Sequence, residues 1–329
     1  MSTTGEFRAD MHVKVLDERV VRRAKARGLD AIVYAPHFTP LPEIERRAAI
    51  YTDPELLVVP AREVFTEDWR DRKHLLAIGL SEPIPDFITL EGALLECRNQ
   101  GAATLVPHPD FLTVSLDAAD LDRYRSLVDG VEVYNPKFWP HHGRRASRIA
   151  ENASQPAFAS SYAHLRGSVG EAWTAFDRAD VEPNSLLTRG SGSRSVGERS
   201  AANRPANDRS AHGQPADSRS ADGRSLDGRS ANGRPGGERR RTNATQGWLV
   251  DRTWSVRVEA FVEALKSGVP RSVSHLTGLA HRVRCGAEFA HLGYENSLTK
   301  AIRVLRSRLP ATHPGHPLYG SRFDDVRVY

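Results

Sequence analysis

From Asp10 to Ser160 short apolar runs alternate with amphipathic stretches. Runs of four to six apolar residues bounded by turn formers predict buried strands at Ala31–Tyr34, Leu56–Pro60, Leu75–Leu80, Ala103–Pro107, Val131–Tyr134 and Pro156–Ser160. A shorter first strand is predicted at Asp10–Val13. Helical periodicity predicts helices at Asp17–Arg27, Leu90–Gln100, Ala118–Leu127 and Gly143–Glu151. Gly28 and Gly101 stand where left-handed helix caps are wanted. Seven strands separated by helices predict an α/β barrel, in which ligands sit at the C-terminal ends of the strands.

The pattern then breaks. From Arg189 arginine recurs at every fifth position to Arg239, with only Gln214 out of step, in units such as RSADG and RSANG. A period of five fits neither helix nor strand, and the stretch has almost no apolar side chains to offset the entropy of ordering. Residues 188–247 are therefore expected to be a disordered linker. It separates a barrel at 1–187 from a C-terminal helical segment at 248–329. There, helices are predicted at Thr253–Ser267, ending at Gly268, and at Arg282–Tyr294, and they are expected to pack on the barrel.

Charge changes the picture only once it is placed. The net charge is +5. Arg189–Gly247 alone carries twelve arginines against six acidic residues, which leaves the rest of the chain at −1. The linker has no aromatic residues among its arginines, so the stacking that supports single-strand binding is missing there. A nucleic-acid partner is possible but unsupported by the charge of the folded parts. A local basic patch remains at Arg22, Arg23, Lys25 and Arg27. Cys97 and Cys285 have no metal-binding spacing and are expected to be reduced thiols in a cytoplasmic protein. No apolar leader and no run of ~18 apolar residues is visible, so no membrane association is expected.

Six chemical side chains fall at strand ends. His12 closes the first strand, His37 the second, His108 the fifth, and His164 follows the seventh; Glu63 follows the third. His74 begins its strand, which places it beside Glu63 if the third and fourth strands form an antiparallel hairpin. A lone histidine at a strand end is more often a hydrogen-bonded structural residue than a ligand. Six donors at one barrel mouth favour a metal site, and imidazole with carboxylate suits Zn, Mn or Fe. His141, His142, His313 and His316 read as surface residues. His275, His281 and His291 lie on or near the C-terminal helices, where one could reach the barrel mouth. The string GAEFAHLGYENS has no chemical account at this level.

The ordered stretches DMHVK, APH, VPAREV, HLLAIG, VPHPD, VEVYN and SYAH together resemble the PHP (polymerase and histidinol phosphatase) superfamily across residues 10–176. The resemblance implies a distorted seven-stranded barrel, up to three bound metals and hydrolysis of phosphate esters. Carried over residue by residue, it implies His12, His37, Glu63, His74, His108 and His164 as metal ligands. Three departures stand out: Lys14 replaces a ligand of the DxHxH motif, Pro36 an acidic residue, and Tyr162 the aspartate of an S-D-A-H motif. Only Glu63, His74 and His108 keep a full set, so fewer than three ions are expected. Lys14 is expected to stand in for a lost cation, with Lys14 and Glu63 in the catalytic roles. Arg62 and Arg166 are further phosphate-clamp candidates, although surface solvation suits each of them too. The expected function is metal-dependent hydrolysis of a small phosphomonoester or a nucleotide phosphate. The alternative is a degenerate barrel acting as a scaffold or binding subunit.

Overall fold

The computed structural model describes residues 5–37, 39–67, 72–111, 114–182 and 240–306, with 314–315 and 324–325; side chains of the last helices are described from 253 to 294. Nine strands make one sheet: β1 (Glu6–Val13), β2 (Ala31–Tyr34), β3 (Leu57–Thr66), β4 (Lys73–Ile78), β5 (Ala103–Val106), β6 (Gly130–Tyr134), β7 (Ala157–Ala159), β8 (Ala172–Asp177) and β9 (Arg271–His275). Their order is β7-β6-β5-β4-β3-β2-β1-β8-β9. β3 and β4 form the antiparallel hairpin expected from the placement of Glu63 and His74, with Phe65 opposite His74. Beyond β7 the chain returns to the end of β1, where Val13 bridges Ala163 in parallel. Lys14 N donates to Ala163 O and Ala163 N to His12 O, so the chain just after β7 pairs with the end of β1 and the barrel nearly closes.

Two strands exceed the seven expected. β8 lies antiparallel against β1, and β9 adds to β8 from the C-terminal segment. Neither has a continuous apolar run like that of β2. β8 reads AWTAFD, and β9 reads RSVSH with largely exposed side chains, as a sheet edge permits.

The helices are α1 (Glu18–Ala26), α2 (Leu41–Tyr51), α3 (Leu90–Asn99), α4 (Ala118–Tyr124), α5 (Pro140–Asn152), α6 (Arg178–Val181), α7 (Arg240–Lys266) and α8 (Leu279–Arg306). Asp17 caps α1, accepting from Arg19 N and Val20 N. α2 was not predicted; it opens after Pro40 without a side-chain cap and buries only Leu41, Ile44 and Ala48. α7 starts at Arg240 rather than Thr253, so the last residues assigned to the linker are helical. Trp248, Leu249 and Val250 already supply apolar positions there, and arginine and alanine extend a helix readily. The rest of the pentad repeat, and the C-terminal His313 and His316, lie outside the described residues.

Inward side chains of the strands, among them Phe7, Met11, Val33, Val59, Leu76 and Leu105, form one core with Val258, Phe261 and Leu265 of α7. Trp254 Nε1 also donates to Val58 O at 3.0 Å. Gly79, at φ +81°, lets this helix approach, since a Cβ there would sit 2.7 Å from Val262 Cγ2. The register of β1 against β2 slips between Asp10 and Val13. Phe7, Ala9 and Met11 face the core, whereas His12 within the slip and Lys14 beyond it face Glu63.

Candidate metal centre

Glu63 organises the barrel mouth. Its side chain is fully buried near the end of β3, and its two oxygens have different neighbours. Oε1 lies 3.0 Å from His74 Nδ1, 3.2 Å from His108 Nε2 and 3.8 Å from His12 Nε2. Oε2 lies 2.5 Å from His37 Nε2 and accepts from the Lys14 ammonium, which also donates to Ala35 O at 2.7 Å. The expected residues from β1, β2, β3, β4 and the β5 loop thus meet on one carboxylate. His164 stands at the edge, its ring 5.8 Å from that of His37. His37 is the most open of the group, with 28% of its side chain exposed.

The donors Glu63, His74 and His108 all lie within 4.8 Å of one another, close enough to share an ion. His12 supplies an independent test of that fit. It is fully buried, and among the described residues neither of its ring nitrogens has a hydrogen-bond partner. A buried ring nitrogen whose lone pair has no partner costs ~1–3 kcal/mol. A cation beside Glu63 Oε1 would accept the lone pair of Nε2, so the residues present fit a divalent metal.

The electrostatics agree with a cation-seeking site. Burial would raise the Glu63 carboxyl, but Lys14 and the imidazoles of His74, His12 and His37 outweigh it and hold it well below the usual range. Burial, with help from Lys14, holds His12 well below an ordinary imidazole. Burial lowers His74 to about 4, against the pull of Glu63. These histidines are neutral at pH 7, the form that ligates.

The supporting residues explain the departures from the motif pattern. Tyr162, at φ +48°, sets its ring 4.8 Å from His12, 5.0 Å from His108 and 4.8 Å from His164. It therefore fills space that an aspartate would leave open. Asp10 is buried, accepts from Ser161 N and Gly170 N, and is raised by burial to about 6. His108 adopts φ +35°, a region non-glycine residues avoid, and its N–H donates to the buried Glu132 at 2.7 Å.

Several contributors were not singled out from sequence. Buried Lys137 donates to Ser161 O and Tyr162 O, and its ammonium lies 5.0 Å from the Tyr162 ring. Glu288 of α8 accepts from Leu165 N at 2.8 Å and His164 N at 3.3 Å, and lies 3.8 Å from Lys137 Nζ. Lys137 and Glu288 thus grip the Ser160–Leu165 loop by its carbonyls and its amides. Glu288 belongs to the string that had no chemical account. The V-E-V-Y-N stretch ends two residues before Lys137, but nothing in the sequence marks a carboxylate some 150 positions later as its partner.

Other candidates fall elsewhere. Arg62 is buried and paired with Asp86 at 2.9 Å, and it also donates to Ile84 O, so it serves the hairpin rather than a phosphate or the surface. Arg166 is exposed and pairs with Asp17. His291 reaches towards the mouth, its ring 6.4 Å from that of His164. His275 stacks on Tyr134 at 4.1 Å, and His281 contacts Glu171. His142 packs edge-on against Phe111 rather than standing free on the surface.

The PHP-associated family matches residues 140–189. No curated protein matches the chain. Among solved structures, PsfC from Pseudomonas syringae is 21% identical with a TM-score of 0.42, covering 53% of this chain and 82% of its own. A protein assigned as a metal-dependent phosphoesterase from Bifidobacterium adolescentis is 14% identical with a TM-score of 0.40, over 48% of this chain and 88% of its own. An amidohydrolase from Chromobacterium violaceum, with bound sulfate and no metal, gives 14% and 0.40 over 49% and 89%.

Proposed function

We propose that the chain is a PHP-type protein whose barrel is a metal-dependent phosphoesterase. Glu63, His74 and His108 hold one divalent ion, with His12 adjoining on the same carboxylate oxygen. The observation that carries the reading is buried His12, whose two unpartnered nitrogens sit beside a carboxylate already shared by two other imidazoles. Imidazole and carboxylate together favour Zn, Mn or Fe, and the donor set supports fewer than three ions.

Such an ion acts as a Lewis acid on a phosphoryl oxygen and lowers the pKa of water. The chain's own residues prepare the site. Lys14 fixes the orientation of Glu63 and adds a positive point charge where the motif pattern has a ligand. His37 is partly open to solvent and bonded to Glu63, so it is placed to hold a proton at Nε2. The remaining ligands lie deep, which suits a small phosphomonoester or a terminal nucleotide phosphate better than a folded polymer.

A second reading is a barrel that binds without turnover. Two observations favour it: Tyr162 crowds His12, His108 and His164, and Lys14 ties Glu63 to the Ala35 carbonyl. A phosphatase assay with added Mn on an aryl phosphate and on mononucleotides separates the two. Hydrolysis lost in Glu63→Gln and His108→Ala supports the esterase; bound ion without turnover on any phosphoester supports the binding barrel.

A further inference from the structure

A second group of metal-type donors lies away from Glu63, where α8 meets the start of β8. His281 and Cys285 are four residues apart on α8 and so share one face of it. That face turns inward, since His281 is 7% exposed, Cys285 is half-buried, and Glu288 and Leu292 continue the stripe in buried positions. Opposite them Glu171 is fully buried immediately before β8.

The separations decide what this group can do. Glu171 Oε2 lies 3.0 Å from His281 Nδ1 and 3.8 Å from Cys285 Sγ, and Sγ lies 3.7 Å from Nδ1. Sulfur contacts of that length make poor hydrogen bonds. Ligand atoms of a tetrahedral ion bound at ~2.0–2.3 Å stand ~3.3–3.8 Å apart, which brackets both sulfur separations, while the 3.0 Å between Oε2 and Nδ1 is a little shorter. The other oxygen, Oε1, accepts from Arg284 and lies 3.8 Å from an Arg27 nitrogen. The two guanidinium groups therefore occupy the oxygen that faces away from the thiol and orient the one that faces it, as outer partners of a ligating carboxylate do.

We propose that Glu171, His281 and Cys285 form a second, thiolate-containing site for a zinc-class divalent ion, which fastens α8 to the barrel. One nitrogen, one sulfur and one carboxylate oxygen leave a fourth tetrahedral position open. Binding displaces the thiol proton to solvent and forms a sulfur–metal bond, so affinity rises with pH. The fastened helix carries Glu288, so an ion here also steadies the loop that bears His164. The competing account is an ion pair in which Glu171 answers the arginines alone and the thiol is a bystander.

Cobalt separates the two accounts in the full-length chain. A thiolate ligand gives a near-ultraviolet sulfur-to-cobalt charge-transfer band, and the Glu63 group contains no cysteine. Titration with Co(II) is expected to produce that band. Glu63→Gln and Cys97→Ser should keep it, Cys285→Ser should abolish it, and His281→Ala should weaken its binding at least tenfold. Absence of the band in the wild-type chain, which requires no variant to fold, overturns the proposal. So does its persistence in Cys285→Ser. Neither result bears on the Glu63 centre.

Discussion

Lys14 and Glu63 form a buried ion pair at the mouth of the barrel, in which the lysine donates to Oε2 of the carboxylate. Oε1 is left to His74, His108 and His12. A fixed positive charge thus stands where the DxHxH pattern has a metal ligand, and the remaining ligands gather on the opposite oxygen.

Removing that charge leaves a buried carboxylate uncompensated. Lys14→Met is expected to destabilise the metal-free protein by about 3–5 kcal/mol. The loss should shrink when divalent metal is added, because the ion then supplies the missing charge. Urea unfolding with chelator and with Mn checks both halves. Lys14→His, which restores the motif residue, is expected to raise the metal content above that of the wild type.

Arg62 is separated from this centre by its own partner. Its pairing with Asp86 and its bond to Ile84 O tie β3 to the segment after β4. Arg62→Met should cost about 3–5 kcal/mol of stability, while metal bound per folded molecule stays unchanged. A proportional fall in metal content would instead mean that Arg62 shapes the site.

The pH dependence follows from His74. Its folded pKa, about 4, lies below the ordinary 6.5, so between those values the unfolded chain binds the extra proton. Stability from neutral His74 is complete above pH 6.5 and is lost as pH falls towards 4, by on the order of 3 kcal/mol. Denaturant midpoints measured with chelator across that window should fall with pH, and His74→Gln should flatten the slope. Glu63, also depressed, adds its own loss at lower pH.

Glu288 reaches the centre through backbone amides. Glu288→Ala removes the acceptor for His164 N and Leu165 N and leaves the Lys137 ammonium without its carboxylate. Hydrogen exchange at those two amides is expected to quicken, with stability reduced by about 1–3 kcal/mol. Unchanged protection of both amides would contradict the clasp.

The sequence revealed what periodicity and strand-end placement can carry. β2 was legible to the residue, the β3–β4 hairpin followed from where Glu63 and His74 had to meet, and three of the six expected ligands, Glu63, His74 and His108, lie within 4.8 Å of one another. β8 and β9 were not legible, because their neighbours decide their burial rather than their own hydrophobic runs. Arg62, Lys137, Glu171 and Glu288 are charged residues of the kind that usually read as solvated, and burial with a partner distant in sequence is a tertiary fact. Tyr162 was visible as a departure, but only its left-handed backbone and three ring contacts show what it does.

The central claim is that Glu63, His74 and His108 share a divalent ion. Elemental analysis of folded protein purified without chelator tests it directly, in a Cys285→Ser background so that the α8 group does not contribute. About one equivalent of Zn, Mn or Fe is expected there, falling to background when His108→Ala or Glu63→Gln is added. Equal metal content in all three proteins, or none in any after Mn or Zn is supplied, would contradict the account.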